Sequence, residues 1–214
     1  PVAAASIAQV HHATLPSGEE VVVKIRRPGI VEEVEADIDV LMGLAYLAER
    51  RFPENRSFEP VELVGEFARS IRREMDLSRE GYTIERVAAN FAGDPTLHFP
   101  RVYRRLTTPG VLTLEFIDGI KVSDLDALER AGLDRQLIAR RGADAFLRQV
   151  LEHGFFHGDP HPGNVFILPG NVICLLDYGM IGKLDASSRE FLVEFLVSVT
   201  TRDPDRILSL LLYS

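Results

Sequence analysis

His157-Gly158-Asp159-Pro160-His161-Pro162-Gly163-Asn164 is followed, after two short apolar runs, by Asp177-Tyr178-Gly179. The runs, residues 165–168 and 172–176, flank Pro169-Gly170-Asn171 and predict a β-hairpin. A loop thus carries one carboxylate and one amide, and the end of a strand delivers a second carboxylate. Phosphoryl transfer needs this kit. One Asp orients or deprotonates the acceptor, while an Asn and a second Asp hold the magnesium ions that neutralise a triphosphate. An ordinary Asx-type turn would account for His-Gly-Asp-Pro alone, but not for the linked spacing of all three groups.

Asp159 and Asn164 keep the five-residue separation of the kinase catalytic loop, and Asp177-Tyr178-Gly179 stands where kinases carry Asp-Phe-Gly. Upstream, Val22-Val23-Lys24 sits in a β-branched run, residues 21–25, where kinases place the lysine that reaches the α- and β-phosphates. By itself such a lysine reads as a solvated strand residue. A third cluster is Glu74, Asp76 and Glu80. Asp76 and Glu80, four apart, would share one helix face, a like-charge pair that costs ~0.2–0.5 kcal/mol unless a cation intervenes. Arg72, Arg73 and Arg79 could make this a solvated acidic face, but beside Lys24 and Asp177 one carboxylate is wanted to hold the strand lysine.

Around these motifs the chain reads as α+β. Pro16-Ser17-Gly18 predicts a turn before the Lys24 strand. Residues 31–51 predict an amphipathic helix with Val34, Ile38, Leu41, Met42, Ala45 and Ala48 inward, stopped by Phe52-Pro53. Pro60 opens a helical stretch to about residue 90, with Val64, Phe67, Ala68, Ile71 and Met75 inward. Strands are predicted at 100–103 and 111–117, divided by a turn at Thr107-Thr108-Pro109-Gly110. Helix returns over 133–153 and again over 187–212, broken near Asp203-Pro204. Residues 1–117 are expected to form an upper, nucleotide-binding lobe and 118–214 a lower, catalytic one, with a cleft between them.

The 214 residues carry a formal charge of −8, with basic residues only in short pairs such as Arg26-Arg27 and Arg140-Arg141. That excludes a general nucleic-acid surface, which needs clustered Lys and Arg. The single Cys174 lies in an apolar strand, as a buried thiol rather than a disulfide or zinc ligand. His11, His12 and His98 read as surface or strand-end residues, His153 as a helix cap, and His157 and His161 as loop-shaping hydrogen bonders. No apolar run reaches the ~20 residues that span a bilayer, so the segment is expected to be soluble, cytoplasmic or peripheral to a membrane. The start at Pro1 without Met reads as that of a fragment.

The motifs together resemble the UbiB/AarF family of atypical kinase-like proteins associated with ubiquinone biosynthesis, in order from Ala3 to Gly179. Pro1-Val2-Ala3-Ala4-Ala5-Ser6-Ile7-Ala8-Gln9-Val10-His11 looks like the alanine-rich loop that replaces the glycine-rich loop in that family. Glu74-Met75-Asp76 matches its Glu-x-Asp motif, and Glu80 falls where the family has the partner of the strand lysine. Leu114-Glu115-Phe116-Ile117-Asp118-Gly119 resembles its hinge.

The resemblance implies a two-lobed, protein-kinase-like α+β fold, N-terminally truncated and C-terminally incomplete, that binds ATP and Mg2+. It implies that Ala3, Ala4, Ala5, Ser6 and Lys24 contact phosphates, that Glu80 orients Lys24, and that Glu115 and Ile117 offer main-chain groups to adenine. Asp159 acts on the acceptor, Asn164 and Asp177 bind metal, and Glu74 and Asp76 form the family motif. Partners implied are a small-molecule or lipid-like acceptor and a peripheral-membrane or lipid-biosynthetic complex.

The chain also departs from the family pattern. Its Lys-x-Gly-Gln motif and the first strand of the upper lobe are missing. There is no Ala-Pro-Glu segment, which disfavours ordinary protein substrates. Two rivals are an aminoglycoside- or choline-kinase-like phosphotransferase, whose His-Gly-Asp-x-His-x-Gly-Asn loop is similar, and a regulatory pseudokinase.

Overall fold

The structure is a computed structural model and describes residues 3–4, 7–51 and 59–212. Along the chain the elements are β1 (Ala3–Ala4), β2 (Ala8–Thr14), β3 (Glu20–Arg26), α1 (Ile30–Arg51), α2 (Pro60–Glu74), α3 (Leu77–Asn90), β4 (Leu97–His98), β5 (Val111–Glu115), β6 (Ile120–Lys121), α4 (Leu125–Arg130), α5 (Arg135–Leu147), β7 (Phe155–His157), β8 (Val165–Leu168), β9 (Val172–Leu175), β10 (Ile181–Lys183), α6 (Ala186–Thr201) and α7 (Pro204–Leu212). They divide into two compact units, Pro1–Ile84 with Pro100–Ile117, and Glu85–Phe99 with Asp118–Ser214.

In the first unit β1, β2, β3 and β5 form an antiparallel sheet in that order. Gly18 closes the predicted turn at φ +87°, a setting that a Cβ penalises. Contrary to the expectation of a loop with no strand before it, Ala3 and Ala4 pair with Val10 and Gln9. Ala5 and Ser6, assigned to the same loop, lie outside the described residues, as does the Phe52-Pro53 stop.

The predicted helix from Pro60 is two helices. Periodicity continues through Met75, but the Asp76 carboxylate accepts the Ser78 N–H at 3.1 Å, starting α3 afresh as an N-cap does. The inward stripes are also narrower than predicted. Ile38, Ala45 and Ala68 are buried, whereas Leu41 is 40% exposed and Phe67 50%. α1 packs on α2 along a single seam, reinforced by two hydrogen bonds from Arg72 to Glu35, and such a seam covers less than the broad face of a core helix.

The second unit holds a four-stranded sheet, β4-β9-β8-β6, in which only the β4–β9 pairing is parallel. Leu128, Ile138, Ile167 and Ile173 form its core. The predicted hairpin is β8–β9, turned by Gly170 at φ +78° and Asn171 at φ +59°. Residues 100–103 are no full strand, since Val102 makes only an isolated bridge to Leu114. The strand nearby is β4, and the chain passes between units at Phe99–Pro100. Cys174 is fully buried. His153 packs edge-on against Phe91, ring centroids 5.2 Å apart, and its buried Nε2 meets no partner among the described residues, so its side chain is no hydrogen-bonding cap.

Gly154 ends the turn after α5 at φ +58°, and a Cβ there would stand 2.6 Å from the Leu184 carbonyl oxygen. Gly154→Ala should therefore destabilise the protein by about 1–3 kcal/mol through backbone strain. Thermal unfolding would check this, and an unchanged melting temperature would contradict it.

Candidate active site

In the first unit Lys24 lies mid-strand on β3, paired across to Val10 and Leu112, rather than at a strand end. Its Nζ donates to Glu80 Oε2 at 2.8 Å, with side chains only 18% and 6% exposed. The local sequence makes this reach possible. Asp76 starts α3, the Pro109 carbonyl accepts the Leu77 N–H at 3.0 Å, and the Met75 carbonyl accepts from Arg26 Nη1 at 3.0 Å. Gly81, next to Glu80, lets the helix approach the sheet, because a Cβ there would lie 3.2 Å from both Leu112 Cδ1 and Val102 Cγ1. Glu80 also sits in the first turn of α3, where the helix dipole favours a carboxylate.

In the second unit the catalytic-type loop is held by its own histidines. His157 Nδ1 accepts the Asp159 N–H at 3.0 Å, and the Asp159 carbonyl accepts the His161 N–H at 2.7 Å. His161 Nδ1 accepts the Gly163 N–H at 3.0 Å. Asp159 itself is exposed. At the base of the β8–β9 hairpin, Leu176 N–H donates to the Asn164 carbonyl at 2.9 Å, so the amide-bearing residue adjoins the residue before Asp177. Asp177 Oδ1 accepts the Gly179 N–H at 3.0 Å, which fixes the carboxylate on its loop. Below it Tyr178 is 1% exposed, and burial, with Cys174 adding to it, pushes its hydroxyl well above the usual phenol value.

Asn164 and Asp177 offer hard oxygen donors without thiolate or imidazole, the donor chemistry that magnesium takes. Among the described residues no group of three or more His, Cys, Asp or Glu side chains could hold a metal ion. Two protein ligands completed by phosphates and water fit that arrangement, since magnesium is seldom caged by protein alone.

A sequence profile of the ABC1 atypical kinase-like domain matches residues 1–211. The chain belongs to this ABC1 family. It is 39% identical over 214 residues to the probable protein kinase UbiB of Pseudomonas putida (strain W619), covering 98% of this chain and 40% of the relative. It is equally 39% identical, over 210 residues, to an uncharacterized protein of Synechocystis, covering 98% of this chain and 36% of that one. Among solved structures, a Mycobacterium tuberculosis protein in complex with erythromycin superposes with a TM-score of 0.79 at 26% identity, covering 98% of this chain and 52% of that one. The chain spans about two fifths of the length of these curated relatives. The family and the kinase-like α+β fold read from the motifs are borne out.

The other residues singled out by the sequence motifs fall as follows. Glu74 closes α2 and is exposed, while Asp76 accepts from both the backbone and hydroxyl of Ser78, at 3.1 and 2.5 Å, and so lies between helices rather than on a face shared with Glu80. Glu115 donates its N–H to the Arg101 carbonyl at 2.9 Å, which takes that donor away from any adenine contact. Ile117 is buried.

Sequence reasoning passed over the Asp94–Arg148 pair. Arg148 Nη1 donates to Asp94 Oδ2 at 2.7 Å, and its guanidinium lies 4.8 Å from the Phe91 ring centroid. Hydrogen bonds from the Thr96 hydroxyl and N–H, with the Arg148 bond behind them, hold the Asp94 carboxyl below its ordinary value. A carboxyl whose folded value is lowered stabilises above its unfolded value and loses that contribution as pH falls through the folded one. The stability gap between wild type and Asp94→Asn should therefore be full at neutral pH and close below about pH 4. Urea titrations at the two ends of that range would check it, and a gap that widens in acid would refute it.

Proposed function

We propose that this protein binds ATP with magnesium and either hydrolyses it or passes its γ-phosphoryl group to a small or lipid-like acceptor. The setting is ubiquinone or related lipid metabolism. The observation that carries this reading is the loop in which His157 accepts the Asp159 N–H while the Asn164 main-chain carbonyl accepts the Leu176 N–H, tying the loop to the residue before Asp177. Lys24 holds the α- and β-phosphates and Glu80 keeps its ammonium aimed. Asp159 receives or orients the acceptor proton. Asn164 and Asp177 hold magnesium, which when bound neutralises charge on the phosphates. The Glu115 carbonyl and the Ile117 main chain meet adenine, and the Ala3–Ala4 backbone runs near the phosphates.

Short connections after Gly179 support a non-peptide acceptor. Only residues 180–185 precede α6, and three of them form β10. Among the described residues no helix is long and apolar enough to cross a membrane.

The test is phosphate release by the full-length protein, with and without anionic liposomes carrying quinone-like lipids. Magnesium-dependent release that those lipids raise is the expected result. No nucleotide binding and no release under any condition would overturn the reading.

A further inference from the structure

α5 does not end as an α-helix. Residues Arg148–Glu152 widen into a π-helical turn, in which the His153 N–H donates back five residues to the Arg148 carbonyl at 3.1 Å. Such turns are rare and gather at functional sites. This one is anchored on two sides, by Arg148 on Asp94 and by Arg189, whose Nη1 donates to the Glu152 carbonyl at 2.6 Å. It carries a polar side chain inward. Gln149 is 2% exposed, and its Oε1 accepts the N–H of His157 at 3.0 Å.

We infer that Gln149 is a positioning residue for Asp159, acting through His157. The connection is continuous. Gln149 holds the backbone of His157 at the end of β7, and the ring of His157 accepts the Asp159 N–H through Nδ1 at 3.0 Å. An Nδ1 that accepts from a backbone amide carries no proton, so a neutral His157 bears its proton on Nε2. Both residues are almost wholly buried, His157 at 3% exposure, so the hydrogen bond between them has no bulk water as a ready substitute.

The other ties on His157 do not replace this one. Its backbone pairs with Ile181 in the two-stranded β7–β10 sheet, and the Met180 carbonyl accepts the N–H of Gly158 at 2.9 Å. Those contacts fix β7 against β10. Gln149 ties it by a hydrogen bond to the helix behind, where the other side-chain contact, Phe156 edge-on to Phe146 with ring centroids 6.2 Å apart, is apolar and leaves the His157 N–H unheld. Without that hydrogen bond the strand end can shift by the fraction of an ångström that separates a productive from an unproductive carboxylate.

The inference rests on the phosphoryl-transfer reading for its kinetic consequence but not for its structural one, and the experiment separates them. In the full-length protein, Gln149→Leu removes the acceptor at similar size, and Gln149→Glu keeps an acceptor oxygen. Gln149→Leu should lower kcat ~10- to 100-fold with little change in the Kd for Mg-ATP. Gln149→Glu should recover much of that loss. In an Asp159→Asn background Gln149→Leu should add almost nothing, because it acts through the group already removed.

Independently of turnover, exchange of the Asp159 amide hydrogen should speed up at least ~10-fold in Gln149→Leu while amides of β8 and β9 keep their protection. If the wild type proves inactive but the Asp159 amide is deprotected in this way, the proposed function fails and the positioning role stands. If the Asp159 amide is unaffected, or if Gln149→Leu unfolds β8 and β9 as well, the positioning role is overturned.

Discussion

Asp177→Asn should abolish magnesium-dependent nucleotide binding in a protein that still folds. The substitution keeps size and keeps an oxygen able to accept the Gly179 N–H, so the turn that presents the side chain survives. What it removes is the negative charge, and magnesium among hard oxygen ligands depends on charge as much as on geometry. Among the described residues no wider cluster of carboxylates and imidazoles is arranged to hold the ion instead. Affinity for Mg-ATP should fall ~100-fold or more, equivalent to about 2.7 kcal/mol, whereas affinity for ATP without metal should change little. Titration calorimetry with and without magnesium reads both quantities, and unfolding curves should overlay within ~0.5 kcal/mol. A folded variant with undiminished Mg-ATP affinity would remove Asp177 from the metal site, and the reading of its loop with it.

The contrast between legible and illegible parts follows from where each signal resides. Gly170 and Asn171 both take positive φ, so the β8–β9 hairpin was written locally in its turn residues. The loop of Asp159 was legible for the same reason, since the hydrogen bonds that shape its interior, His157 to Asp159, Asp159 to His161, His161 to Gly163 and His161 to Asn164, join residues two or three apart. β4 and β6 are two residues long and exist only through partners far along the chain, Leu97 with Ile173 and Ile120 with Ile167. No periodicity can announce a strand of that length. Asp76 misled because the apolar stripe runs on through Met75, and a carboxylate counted as part of an acidic face is in fact the residue that ends the stripe. Gln149 was missed for the opposite reason. A polar residue at an inward helical position is invisible to a search for apolar spacing, and its meaning lies in the buried N–H of His157, eight residues on.

Removing either member of the Lys24–Glu80 pair should cost turnover heavily, and removing both should cost little more. The two charges are 2.8 Å apart and mostly shielded from water. Lys24→Ala takes this ammonium away from a carboxylate that is 6% exposed, and Glu80→Ala takes this carboxylate away from an ammonium that is 18% exposed. Breaking a buried pair from one side typically costs about 3–5 kcal/mol, so each single variant should also melt earlier. The double variant loses both charges together and should be no less stable than the weaker single. Activity should behave differently. If Glu80 works only by aiming Lys24 at phosphates, each single variant should lose ~100-fold or more in turnover, and the double should lie within about threefold of the worse single. Lys24→Arg should not rescue, because a planar fork cannot take the place of a compact ammonium held by one carboxylate oxygen. Phosphate release and thermal unfolding on all four proteins complete the cycle. Strictly additive losses of turnover would mean that the two residues act separately, leaving the ion pair a feature of folding alone. Coupling in turnover, together with partial recovery of stability in the double variant, would instead mark a pair whose attraction serves the geometry of the lysine more than the strength of the fold.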